Sequence, residues 1–300
     1  MIQLHKVSKQ YEGRESVHNV SLSIERGSVY GLLGSNGAGK TTLLKIVSGI
    51  YKPDSGEANI DGEAVYENPS IKQKLFFLAD TPAFLPQYNV KQMASFYSSL
   101  YNSWDQDRFN ELGKIFGIDP KVKLHKFSKG VQRQAAFWLA LSCRPEVLIL
   151  DEPIDGLDPV VRKKVKSILM EEVAYKDMTI LISSHNLEEI EDLCDHVGIL
   201  HQGHILVEKE LDELKSEFHK VQIAFRQKPP GELFDRLHVL QRDQRGSVIS
   251  CIVKGDHSAI EDMVNEYEPV IFDLLPLTLE EIFIHEMGDA GYAVKQILVK

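Results

Sequence analysis

The sequence predicts an α/β fold: a mostly parallel sheet covered by helices, with an antiparallel β subdomain, an inserted helical subdomain and a small C-terminal α+β unit. Near-continuous apolar runs at Val29-Tyr30-Gly31-Leu32-Leu33, Val147-Leu148-Ile149-Leu150 and Thr179-Ile180-Leu181-Ile182-Ser183 have the composition of strands buried on both faces. Helix-length segments at residues 130–142 and 159–174 alternate with those runs, as the crossovers of a parallel sheet require. Strict alternation in Ile2-Gln3-Leu4-His5-Lys6-Val7 and Val20-Ser21-Leu22-Ser23-Ile24 marks half-buried antiparallel strands instead.

Residues 84–127 break the alternation of strand and helix. Their aromatic and polar content (Phe96, Tyr97, Tyr101, Trp104, Phe109, Phe116) predicts an inserted helical subdomain, which extends to about residue 145 once the helix at 130–142 is included. Beyond Glu208 the pattern changes again. Val221-Gln222-Ile223-Ala224-Phe225 and Val248-Ile249-Ser250-Cys251-Ile252-Val253 read as strands of a second domain, with Asp243-Gln244-Arg245-Gly246 as a hairpin turn. The expected division is 1–215 and 216–300. The chain shows no internal repeat, heptad array or low-complexity tract.

At 300 residues the chain suits one large domain plus an appendage. Its net charge of -10 argues against a broad nucleic-acid surface, whose affinity comes from Lys and Arg neutralising phosphates. Cys143, Cys194 and Cys251 lie far apart without metal-ligand spacing and read as reduced, buried thiols suited to the cytosol. Residues 1–6 lack the pattern of a signal peptide, and no run approaches the ~18 apolar residues of a membrane span, so the chain is expected to be soluble.

The first chemical motif is Gly34-Ser35-Asn36-Gly37-Ala38-Gly39-Lys40-Thr41-Thr42, a full G-x-x-x-x-G-K-[ST] phosphate loop set directly after an apolar strand. Its glycines let successive N–H groups curl around a nucleotide polyphosphate, Lys40 reaches the β and γ oxygens, and the Thr41 hydroxyl is placed for Mg2+. The following helix points its positive end at the same anion. The second motif, Val147-Leu148-Ile149-Leu150-Asp151-Glu152-Pro153, ends an apolar strand in two carboxylates. Asp151 is placed to hold Mg2+ and Glu152 to polarise an attacking water.

Across residues 1–215 the chain resembles the ATP-binding subunits of ABC transporters. The phosphate loop, the signature at Phe127-Ser128-Lys129-Gly130-Val131, the acidic strand end, the D-loop at Ile154-Asp155-Gly156-Leu157-Asp158 and the switch His185 follow in the family's order. The resemblance implies a P-loop NTPase fold, ATP and Mg2+ as cofactors, and a head-to-tail dimer in which Ser128 and Gly130 of one subunit meet ATP on the other. It implies that His185 contacts the γ-phosphate and the attacking water, and that Tyr11 stacks on adenine. Three signature positions depart from the family, with Phe127 for Leu, Lys129 for Gly and Val131 for Gln. A fourth departure is Asp80, which stands where the family has a metal-linked glutamine; Gln87 falls several residues late. Asp80 is therefore expected to join the metal shell.

The resemblance further implies partners: an integral membrane permease, a second ATPase subunit, identical or paralogous, and no nucleic acid. Localisation would be cytoplasmic, on the inner face of the cell membrane. The short insertion and the tail Leu277-Thr278-Leu279-Glu280-Glu281-Ile282-Phe283 look like the exporter subfamily, and Phe96, Tyr97, Trp104 and Phe109 are similar to its Gram-positive members. Two other readings remain open here, a soluble ABC ATPase acting on ribosomes or DNA and a regulatory dimer that signals without transport. Against the first, there is no second cassette, long coiled coil, zinc-cysteine set or basic arm. Against the second stand Glu152 and His185.

Overall fold

The apolar runs that begin at Val29, Val147 and Thr179 become strands, and the segments at 130–142 and 159–174 become helices. The computed structural model describes residues 1–226 and 231–289. In chain order it begins β1 (Ile2–Tyr11), β2 (Arg14–Ile24), β3 (Val29–Leu33), α1 (Lys40–Val47), β4 (Ser55–Ile60), β5 (Glu63–Ala64), α2 (Pro69–Lys74) and β6 (Leu75–Leu78). There follow α3 (Val90–Leu100), α4 (Gln106–Phe116), α5 (Lys129–Ser142), β7 (Val147–Asp151), α6 (Pro159–Lys176), β8 (Thr179–Ser184), α7 (Leu187–Glu191), β9 (His196–His201) and β10 (His204–Glu210).

A six-stranded sheet runs β10-β9-β3-β8-β7-β6. Its strands from β9 to β6 pair in parallel. Every residue of β3, β7 and β8 is buried, which is why their sequences carry no alternation. The register pairs Leu33 with Ser184 and Asp151 with Ser183, so the carboxyl ends of the three strands finish level. Ligands of open α/β sheets bind at that edge.

The expected antiparallel subdomain is the sheet β2-β1-β4-β5. Its inward residues Ile2, Leu4, Val20, Leu22 and Ile24 share one core with Leu43, Leu44, Ile46 and Val47 of α1 and with Leu32, Ile149 and Leu181 of the parallel sheet. Helix α1 is therefore fixed from both sides by apolar packing, and with it the loop that precedes it.

The insertion is helical, as its composition predicts. Trp138 of α5 stacks on Phe109 of α4 at 4.7 Å between ring centroids and donates its indole N–H to the Phe109 carbonyl at 2.7 Å. Gly113 permits this contact, because a Cβ there would lie 2.6 Å from Trp138 Cζ2. Arg108 of α4 reaches Glu172 of α6 at 2.6 Å with both side chains buried, and Arg144 joins Glu172 and Asp105 at 3.0 Å each. Separating one partner from such a buried pair leaves an uncompensated charge, so the cluster holds α4 firmly on α6.

The second compact unit begins at Lys209, inside β10; the first is Met1–Glu208. Its elements are α8 (Leu211–Ser216), β11 (Phe218–Ala224), α9 (Gly231–Arg236), β12 (Val239–Arg245), β13 (Val248–Lys254), α10 (His257–Asn265), β14 (Ile271–Leu275) and α11 (Leu279–Asp289). From β11 to β14 the order is β-α-β-β-α-β, and the antiparallel sheet runs β12-β13-β11-β14, a ferredoxin-like split βαβ arrangement. Val221, Ile223, Ile249, Cys251 and Val253 of the sheet pack on Leu233, Ile260 and Val264 of the helices and on Leu237, just past α9. The hairpin turn is Gly246-Ser247 rather than Asp243 to Gly246, since pairing of Arg245 with Val248 carries β12 two residues further. Gly246 takes the positive φ of 63° that this two-residue turn requires.

All three cysteines are buried and free. Burial pushes the thiols of Cys143, Cys194 and Cys251 above their ordinary range, which makes them packing residues. Phe137, fully buried in α5, tests the core of the insertion. Phe137→Ala is expected to lower the unfolding free energy by ~3–5 kcal/mol in urea titration; a loss below about 1 kcal/mol would show that α5 is not part of a close-packed core.

Candidate nucleotide site

Residues 34–39 turn from β3 into α1, and two of the glycines are required by close approach. A Cβ on Gly34 would lie 2.3 Å from the Leu200 carbonyl oxygen, and one on Gly39 would lie 2.2 Å from the Ser16 carbonyl oxygen. Gly37 and Gly39 also take φ of 82° and 108°. Ala38 N–H donates to the Ser35 carbonyl at 3.1 Å and closes the turn, while Asn36 and Gly37 stand exposed at its tip. No side chain caps α1, so the N–H groups of its first turn face the concave side of the loop as an anion site. Thr41 is exposed at that end, and the Thr42 hydroxyl accepts from Ser16 Oγ at 2.9 Å.

The charged groups converge on Glu152. Its Oε1 lies 3.2 Å from Lys40 Nζ, and its Oε2 lies 2.8 Å from His185 Nδ1. Lys40 is buried and donates to the Gly34 carbonyl at 2.6 Å, which aims the ammonium across the loop. One hydroxyl ties the neighbouring strand ends together, because Ser183 Oγ donates to Asp151 Oδ1 at 2.7 Å and accepts from Glu152 N–H at 3.0 Å. Glu152 itself has a φ of 47°, an unfavourable backbone for a side-chain-bearing residue. Lys40, Asp151, Glu152 and His185, read separately from the sequence, thus form one connected set.

The other sequence candidates lie in different surroundings. Ser128 is the N-cap of α5 and accepts from Val131 N–H at 3.4 Å. A Cβ on Gly130 would lie 3.5 Å from the Gly156 carbonyl oxygen, so the signature sits beside the D-loop of its own chain. Tyr11 ends β1, 41% exposed, with its ring edge-on to Tyr51 at 6.1 Å. Asp80 follows β6, and its carboxylate is engaged by Arg133 at 2.8 Å. Gln87 is exposed on a loop with a φ of 64°. Arg133 and Ser183 are the two residues that sequence reasoning did not single out. Ser183 was visible as the hydroxyl ending an apolar strand, and Arg133 as a charge among the apolar residues of α5.

A family model described as ABC transporter matches residues 17–155. Over 288 residues, 96% of this chain and 98% of the relative, the sequence is 34% identical to the ABC transporter ATP-binding protein YtrB of Bacillus subtilis. The chain belongs to the ABC transporter ATP-binding family. Among other ABC transporter relatives, the bacitracin transport ATP-binding protein BcrA of Bacillus licheniformis is 34% identical over 73% of each chain. The lantibiotic transport ATP-binding protein SrtF of Streptococcus pyogenes is 32% identical over 75% of this chain and 98% of its own. The solved structure of an ATP-binding subunit of an ABC transporter superposes with a TM-score of 0.67 at 25% identity, covering 72% of this chain and 92% of that one. These matches favour the transporter subunit over an ATPase of ribosomes or DNA.

Lys40 is the buried cation aimed across the phosphate loop. Lys40→Ala is expected to weaken binding of a fluorescent ATP analogue by about 100-fold or more; an affinity within about threefold of wild type would remove Lys40 from the site.

Proposed function

We propose that this subunit hydrolyses ATP to drive a separate membrane permease, in an exporter of the kind its bacitracin and lantibiotic relatives are named for. The observation that carries the reading is the Lys40, Glu152 and His185 set at the carboxyl edge of the parallel sheet. N–H groups of residues 34–42 and the Lys40 ammonium bind and orient the β and γ phosphates. Glu152 accepts a proton from the attacking water, and His185 holds the Glu152 carboxylate while its ring faces the γ-phosphate. Once phosphate oxygens compete for Lys40, Glu152 is released to act as the base.

The donor set suits magnesium. Among the described residues no group of three or more His, Cys, Asp or Glu is arranged to hold a metal. Magnesium carried by nucleotide phosphates needs only one or two protein oxygens, and Thr41 and Asp151 supply hard oxygen donors beside the loop. Bound there, it would neutralise charge on the transferred phosphate.

Two copies, or this chain and a paralogue, are proposed to close head to tail, with Ser128 and Gly130 of one facing ATP on the other and Tyr11 stacking on its adenine. ATP binds the closed dimer better than the open one, and that difference is what moves the permease. The permease is proposed to dock in the apolar groove of about 270 Å³ lined by Phe77, Pro82, Phe84, Tyr97 and Leu139. Phe96, exposed on α3, lies beside this lining with its ring centroid 5.7 Å from that of Tyr97. No helix among the described residues is long and apolar enough to cross a membrane, which supports attachment to the inner membrane face through the permease. Residues 216–300 are proposed as an accessory domain without phosphate chemistry.

Glu152→Gln is expected to keep ATP binding, lower turnover by about 10²-fold or more, and elute as a dimer with Mg-ATP in size-exclusion chromatography. Hydrolysis at the wild-type rate would remove Glu152 from the role of base.

A further inference from the structure

Arg133 lies in the second turn of α5, and its guanidinium joins two loops that are far apart in sequence, the one that follows β6 and the one that follows β7. Nη1 donates to the carbonyl of Glu152 at 3.1 Å and to the carbonyl of Asp155. Nη2 donates to the carbonyl of Asp80 and to its Oδ1 at 2.8 Å. Only 11% of the Arg133 side chain is exposed, against 58% of Asp80. A planar guanidinium presents its donors in a fixed fork, so the positions of the two loops are set relative to one another and to α5.

The contact to Glu152 matters most. A side-chain-bearing residue keeps a positive φ only where its surroundings over-determine it. Here the Glu152 N–H is held by Ser183 Oγ and its carbonyl by Arg133. The peptide units on both sides of the Glu152 Cα are thereby fixed, and with them the direction of the carboxylate toward Lys40 and His185.

We propose that Arg133 is a positioning residue that aims Glu152 through its backbone, and that Asp80 acts by anchoring Arg133 rather than by holding magnesium. The proposal rests on Glu152 being the base. It assigns a purpose to the departure at position 80: a carboxylate there neutralises the enclosed guanidinium and fixes one side of its fork. Because Ser128 caps the same helix, any shift of α5 on engaging a second subunit is passed to the Glu152 backbone by the same side chain.

The test compares full-length wild type, Arg133→Gln, Arg133→Lys, Asp80→Asn, the double Arg133→Gln/Asp80→Asn and Glu152→Gln, each with its membrane partner. Turnover, KM for ATP, the magnesium midpoint, affinity for a fluorescent ADP analogue and thermal unfolding are measured. Arg133→Gln is expected to lower kcat by about tenfold to 100-fold with KM and ADP affinity within about twofold. Arg133→Lys does not rescue, since an ammonium cannot span both sides of the fork. Asp80→Asn loses less turnover at an unchanged magnesium midpoint, and the double variant is no slower than Arg133→Gln because the pair acts as a unit. Wild-type kcat in Arg133→Gln, additive losses in the double variant, or a shifted magnesium midpoint in Asp80→Asn overturns the proposal. If Arg133→Gln does not fold, Asp80→Asn decides: slower turnover at an unchanged midpoint supports the anchor, and wild-type turnover or a shifted midpoint overturns it. Wild-type hydrolysis by Glu152→Gln overturns the assignment of the base itself, an outcome separate from the fate of Arg133.

Discussion

The shared carboxylate of Glu152, 3.2 Å from Lys40 and 2.8 Å from His185, is the contact on which the organisation of the first unit turns. Each partner arrives on a different strand of the parallel sheet. Lys40 follows β3, Glu152 follows β7 and His185 follows β8, and the level register of those strands brings three side chains to one point. A slip in the pairing would separate them. The non-alternating strands are buried on both faces, so the sheet behind the site is dry and only the strand ends meet solvent.

Energetically the set is poised rather than locked. Lys40 is almost fully enclosed, and an enclosed ammonium requires compensation, which the Gly34 carbonyl and Glu152 provide. Phosphate oxygens offer stronger charge-assisted bonds to the same ammonium. In the proposed mechanism, binding of the polyphosphate exchanges one anion for another at Lys40 and leaves the Glu152 carboxylate with His185. The buried Arg108–Glu172 pair, joined by the half-buried Arg144, fastens the helical insertion to α6, the helix that the D-loop enters.

Much of this was legible in the sequence, for identifiable reasons. The phosphate loop is contiguous, its glycines answer to local sterics at Gly34 and Gly39, and the runs at Val29, Val147 and Thr179 announce double burial. Less legible were features set by contacts distant in sequence. Arg133 and Asp80 meet only after α5 packs under the end of β6, and neither carries a local pattern that names the other. Asp80 could be recognised as a departure, but not its partner. In the second unit two strands were visible. The β12-β13-β11-β14 order was not, since it depends on pairing β11 with both β13 and β14 across intervening helices. The end of the polar strand Val239–Arg245, from Asp243 on, looked like a turn because its residues face solvent.

Glu152 and an incoming nucleotide are proposed to compete for Lys40. Affinity for ADP without magnesium, measured by calorimetry on wild type and Glu152→Gln, tests it without hydrolysis or a γ-phosphate. Removing the competing charge is predicted to tighten ADP binding by about fivefold to tenfold. An unchanged or weaker affinity would contradict the competition and detach Glu152 from the control of Lys40.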